Sequence, residues 1–181
     1  MKTKLILAIA LFSLVSNSFA QQNTAWANWS WLIGEWKGEG SGQPGQGGGT
    51  FSFQTDLDGK ILVRKSHSEY PAILVRKSLS EYPASVNRPV AIHDDLMTVY
   101  LDFTGNASKA IYFDNEGHTI NYSITYAPKT IVLLSDKIPN VPIFRLTYTL
   151  LDDQTVNTKF EMSQDGEKFM IYIEGKSTKV K

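Results

Sequence analysis

The chain contains no cysteine. Disulfides, thiol nucleophiles and cysteine-ligated metal centres are therefore excluded. Histidine is scarce: His67, His93 and His118 are the only three. No His-Glu-x-x-His spacing sets two of them on one helix face, and the expectation is no metal site. There is no Gly-x-Ser-x-Gly elbow for a serine nucleophile. The Gly-rich stretch Ser41–Gly49 lacks the Gly-Lys-Ser/Thr of a phosphate loop and leads into a strand pattern, so it reads as a hairpin or portal loop. Excess charge is missing too, with 18 basic against 18 acidic residues. Setting aside Lys2 and Lys4 leaves 16 against 18, a balance suited neither to nucleic acid nor to an anionic membrane surface. After the first twenty residues no apolar run is long enough to span a bilayer.

Those first twenty residues have their own character. Lys2 and Lys4 precede an apolar run from Leu5 to Val15, and Ser18-Phe19-Ala20 is a small-x-small cleavage signal. Residues 1–20 thus read as a signal peptide, cleaved near Ala20, with a periplasmic or secreted product. Residues 21–181 are long enough for one domain with a substantial core.

Trp31-Leu-Ile-Gly-Glu-Trp-Lys-Gly-Glu-Gly40 marks the entry to that domain. Thr24 to Leu32 reads as a short helix with Trp26, Trp29 and Leu32 on one face and Thr24 as its N-cap. Gly34 and Gly38 bracket Trp36, where the backbone can bend and an indole can plug a barrel end. Gly-x-Trp at the start of a first strand resembles the signature of the calycin superfamily: lipocalins, fatty-acid-binding proteins and nitrobindin-type haem barrels. Leu32-Ile33-Gly34-x-Trp36-x-Gly38-x-Gly40 resembles most the nitrobindin-like and related exported bacterial families. The resemblance implies a closed barrel with a ligand cavity and Trp36 in its floor. In nitrobindin-like barrels a histidine in the C-terminal part ligates haem; no histidine follows His118 here, and only a tyrosine ligand such as Tyr172 remains chemically open. The expectation is accordingly no cofactor, with haem the disfavoured alternative.

The rest of the chain is strand and turn. Phe51–Leu57 alternates and meets the Asp58-Gly59 turn signal; Ile61–Glu69 returns. Ser85–Asp95 reads as a loop, with Asp94-Asp95 solvating its end. Strands follow at Leu96–Phe103, Lys109–Asp114, His118–Tyr126, Thr130–Ser135, Ile143–Leu150, Thr155–Met162 and Lys168–Thr178. The cleanest alternation puts Ile120, Tyr122, Ile124 and Tyr126 on one face. With Gly34–Gly40 these make about ten strands. Short connections favour an all-β, single antiparallel up-and-down barrel with a short N-terminal helix; an open β-sandwich is the alternative fold.

A tandem duplication interrupts the pattern. Ile61–Ala72 (ILVRKSHSEYPA) is followed at once by Ile73–Ala84 (ILVRKSLSEYPA), differing only at His67 and Leu79. Two copies are too few for a solenoid. The Asp58-Gly59 turn ties the first copy to the preceding strand, so that copy is expected in the barrel and the second in a less well packed extension.

For chemistry, His67 shares a strand face with Glu69. If the polar sides of Ile61–Glu69 and Leu96–Phe103 turn inward, His67, Glu69, Tyr100 and Asp102 line a cavity, with His67 as general base and Glu69 or Asp102 as its carboxylate. Trp36, Arg64, His67, Tyr100, Tyr112, Tyr122, Arg145 and Tyr172 are the candidate ligand-binding residues. Tyrosine offers an apolar wall with one polar handle, and Arg64 or Arg145 could hold a carboxylate bidentately. The expected function is binding of a small, largely apolar or amphipathic molecule. The alternatives are a small-molecule enzyme using His67, or a filled barrel serving as an interaction domain.

Overall fold

The computed structural model describes residues 24–40, 48–71 and 90–180. Ten antiparallel strands form a closed barrel in which each pairs with its neighbours in sequence and the last returns to the first. They are β1 (Gly34–Gly38), β2 (Thr50–Asp56), β3 (Ile61–Pro71), β4 (Val90–Tyr100), β5 (Lys109–Asp114), β6 (Thr119–Ala127), β7 (Thr130–Ser135), β8 (Ile143–Asp152), β9 (Thr155–Ser163) and β10 (Met170–Lys179). Trp36 lies opposite Lys179 and Gly38 opposite Ser177, and this seam rules out the open sandwich. Closure joins the last strand to the first, so each strand is paired along at least part of both sides.

Two expectations are corrected. The N-terminal helix is a single 3₁₀ segment, Thr24–Trp29. Its three-residue repeat aligns Trp26 with Trp29, and both are buried with Leu32. Residues 90–95, read as loop, belong to β4. The run His93-Asp94-Asp95 hid the strand because both of its faces are polar there: Asp95 turns inward to a buried partner and Asp94 turns outward. Residues 85–89 lie outside the described residues.

The first repeat copy supplies β3, whose Ile61 to His67 pair with β2 and whose Ile61 to Pro71 pair with β4. The second copy, Ile73–Ala84, lies outside the described residues, as do residues 1–20.

The 3₁₀ segment caps one end, the floor. The Trp26 indole N–H donates to the Gly59 carbonyl in the β2–β3 turn (2.8 Å). The Trp29 N–H donates to the Tyr126 hydroxyl (2.8 Å), which donates in turn to the Ala107 carbonyl. Trp36 is fully buried, and its N–H donates to the Leu32 carbonyl (2.8 Å). Phe53, Leu62, Val99, Ala110, Ile131, Leu133 and Val156 complete an apolar core. Glycine is required at two positions that shape β3. Gly59 (φ 75°) closes the β2–β3 turn, and Gly49 (φ 92°) packs so close to β3 that a Cβ would meet the His67 carbonyl oxygen at 2.1 Å. Because alternate connections lie at alternate ends, 115–118, 136–142 and 164–169 gather at the opposite end, the mouth.

Candidate functional site

The register decides which side chains face inward. Phe53, Arg64, Met97, Tyr112 and Ile120 form one row across β2 to β6. The next row toward the mouth is Trp36, Phe51, Ser66, Asp95 and Asp114. Residues opposite one another share a face, and Phe53, Arg64 and Met97 are all buried. An arginine and an aspartate therefore point into the barrel from adjacent strands, one row apart.

They meet. Arg64 Nη1 donates to Asp95 Oδ1, and the two side chains are 10% and 6% exposed. The guanidinium also lies 5.5 Å from the Phe51 ring centre. Burying such a pair is costly unless its remaining polar atoms are matched. Here they are not all matched: among the described residues Arg64 Nε, the Tyr148 hydroxyl on β8 and Thr158 Oγ1 on β9 are buried without a well-aligned partner, and the Tyr148 hydroxyl lies beside the Arg64 guanidinium. Tyr148 packs edge-on against Phe53, ring centres 5.5 Å apart. Burial pushes its phenol up to about 12. Burial likewise raises the phenols of Tyr122 and Tyr112, the latter helped by the Asp95 and Asp114 carboxylates. All three tyrosines stand as neutral proton donors around one fixed positive charge.

Toward the mouth the polar lining continues. His93 Nε2 lies 3.0 Å from the Tyr112 hydroxyl and 3.8 Å from Asp95, and its Nδ1 lies 3.0 Å from Glu116. The Tyr112 hydroxyl donates to Asp114 at 3.4 Å. Asp114 also takes the His118 backbone N–H (2.9 Å) and lies 2.9 Å from His118 Nδ1. Burial opposes ionisation of Asp114, but these His118 contacts outweigh it and hold the carboxyl below its usual range. Phe144 and Phe160, stacked with ring centres 5.7 Å apart, supply half-buried apolar wall from β8 and β9.

Of the candidate residues, the fold brings Arg64, Tyr112 and Tyr122 together inside the barrel, with Trp36 in the adjoining core. The others stand elsewhere. β3 and β4 turn Leu62, Arg64, Met97 and Val99 inward, so the condition for a cavity lined by His67, Glu69, Tyr100 and Asp102 is not met. His67 is outward-facing and 49% exposed, with Nδ1 2.6 Å from Asp94 and Nε2 3.4 Å from Glu69. Those two carboxylates raise its pKa, Asp94 first. A shallow depression of 390 Å³, open to solvent, lies beside Asp94 along Lys65, Leu96 and Phe113. Tyr100, opposite Ile61 and Lys109, is on the outer row. Asp102 ties its own turn together, accepting from Thr104 N (2.8 Å), Thr104 Oγ1 (2.5 Å), Asn106 N (3.1 Å) and Ser108 Oγ (2.5 Å). Arg145 is on the outer face, bidentate to Glu161 at 2.8 and 2.9 Å, with its guanidinium 3.9 Å from the Phe169 ring centre. Tyr172 sits at the β10 irregularity, 57% exposed, against Phe160.

Four members of the interior cluster escaped the sequence reading as site residues: Asp95, His93, Asp114 and Tyr148. The available signal was the alternation Asp95-Met97-Val99, which carries the inward face of β4 up through the apparent loop. Tyr148 carried no signal that sets it apart from any other strand tyrosine.

Among the described residues no helix is long and apolar enough to cross a membrane, and no group of three or more histidine or carboxylate side chains is placed to hold a metal ion. No protein-family model matches the chain, and no curated protein matches it either. The closed ten-strand antiparallel barrel is consistent with a calycin-like barrel.

Proposed function

We propose that this is an exported barrel that binds a small, largely apolar molecule through a polar or acidic head held beside Arg64 and Tyr148. The observation that carries the reading is a group of buried polar atoms without matched partners, Arg64 Nε, the Tyr148 hydroxyl beside that guanidinium and Thr158 Oγ1, in an otherwise largely apolar interior. Buried polar groups are nearly always satisfied by protein, water or ligand. A few convergent donors within an apolar enclosure is how small-molecule sites are usually built. Phe51, Phe53, Phe144 and Phe160 would flank the apolar part, and Tyr112 and Tyr122 would add neutral donors. The reading needs no cofactor; an optical spectrum of the purified protein checks haem.

The enzymatic alternative draws less support. Both ring nitrogens of His67 face carboxylates, and its raised pKa favours the protonated form, the wrong state for a general base.

The test is calorimetric titration of the protein and of Tyr148→Phe with decanoic acid and with decanol. Removing one hydroxyl that bonds a charged head weakens decanoic acid about 10- to 100-fold and leaves decanol nearly unchanged. Equal weakening of both probes would contradict the placement of the head.

A further inference from the structure

The proposed function uses only Arg64 of the first repeat copy, yet the second copy reproduces the residues that let Ile61–Pro71 serve as β3. Inward-facing Leu62, Arg64, Ser66 and Ser68 recur as Leu74, Arg76, Ser78 and Ser80. The offset is even, so the same face is presented after the shift. Only His67 is not repeated; Leu79 stands in its place, and that position faces outward and is half-exposed.

We infer that the chain carries two interchangeable β3 strands: residues 73–83 can replace 61–71 between β2 and β4, giving a second barrel with the same interior and a leucine opposite Asp94. Chain geometry permits the exchange. The β2–β3 connection lengthens from 57–60 to 57–72, while the β3–β4 connection shortens from 72–89 to 84–89. Paired strands lie only about 5 Å apart, so the shortened connection still spans the gap. Loop-closure entropy grows slowly with length, and trading one pair of lengths for the other changes the populations by only about 1.5-fold.

Local contacts set which arrangement dominates. In the short β2–β3 turn the Lys60 N–H donates to the carbonyls of Asp56 and Leu57, both at 3.1 Å. Trp26 binds Gly59 of the same turn, and His67 meets Asp94. The exchanged barrel gives up the His67 contact and opens the tight turn, so the arrangement with Ile61–Pro71 in place is the major one. The exchange would change the outer face at one position, stripping Asp94 of its imidazole, and by the twelve-residue offset would put Arg76 in the register position of Arg64.

The test compares Leu62→Asp, Leu74→Asp and the double variant by near-UV circular dichroism of the tryptophan floor and by thermal unfolding. Leu62 is fully buried, and a carboxylate there is incompatible with the core. Leu62→Asp is expected to keep the near-UV signal and a cooperative transition at lowered Tm, because Leu74 takes over. Leu74→Asp is expected to match the wild-type protein, and the double variant to lose both signals. Loss of both signals in Leu62→Asp alone would overturn the inference. So would a double variant as well folded as Leu62→Asp, since the position would then simply tolerate aspartate.

Discussion

Around the floor, Trp26, Trp29, Leu32, Phe53 and Leu62 fill the barrel with apolar side chains, and the only buried polar atoms among them are matched indole N–H groups. Further along β3 and β4 the interior changes character: Arg64 and, one row beyond it, Asp95 are buried together, and Tyr112, His93 and Asp114 extend the polar lining to the mouth. The two regions share strands and differ in what each inward position contributes. Apolar burial stabilises in proportion to area, whereas a buried ion pair commonly adds little over an apolar replacement. The floor thus accounts for folding. The polar half is the part that the proposed ligand reading addresses.

Variants that separate the two regions follow from this contrast. The largest effect belongs to the floor: Trp29→Ala leaves a cavity beneath Phe53 and removes the indole bond to the Tyr126 hydroxyl, with an expected loss of about 4 kcal/mol in urea unfolding. Breaking the ion pair comes next. Asp95→Leu strands a buried guanidinium and costs about 3 kcal/mol. Adding Arg64→Met, together with Arg76→Met so that strand exchange cannot restore the guanidinium, returns stability close to the starting value, because no buried charge is left unpaired. Stability that stays low in the combined variant would mean that the pair is structural, and the contrast between the two regions would fail. A smaller effect is expected for Tyr126→Phe, which removes the bonds to Trp29 and Ala107 and costs about 1–2 kcal/mol by the same unfolding measurement.

The smallest effect is a pH dependence on the outer face. His67 has its pKa raised by Asp94 and then Glu69, so the folded state binds its proton more tightly than the unfolded chain does. That contribution is fully present below the unfolded value, about 6.5, and is lost as pH rises through the folded value. Compared with His67→Gln, the wild-type protein should gain stability at about pH 5 and show no gain at about pH 9. A gain that grows with pH would have the wrong sign for this arrangement.

The architecture was legible where the two faces of a strand differ. Ile120, Tyr122 and Ile124 alternate with polar residues, and β6 runs where that pattern places it. Turn chemistry at Asp58-Gly59 likewise located the β2–β3 connection. Legibility failed where polar residues face inward. His93-Asp94-Asp95 has no apolar face, because the inward members are balanced by partners on other strands, and a local pattern cannot reveal a partner 31 residues away such as Arg64. The same limit put His67 and Glu69 in the supposed cavity: strand periodicity groups residues by face without saying which face is inside. Arg145 was a reasonable anion-binding candidate by type, yet Glu161 already occupies the Nε/Nη2 edge of its guanidinium. The candidate site was therefore half readable, in Arg64, Tyr112 and Tyr122, while Asp95, His93, Asp114 and Tyr148 join it only through the closure of the barrel.

The most direct test of the ligand reading is native mass spectrometry of the full-length protein after incubation with an equimolar mixture of decanoic acid and decanol. A 1:1 complex with decanoic acid that is lost in the Arg64→Met, Arg76→Met, Asp95→Leu variant is the expected result. A bare protein mass with both probes present would contradict it, and would mean that the interior is filled by its own side chains.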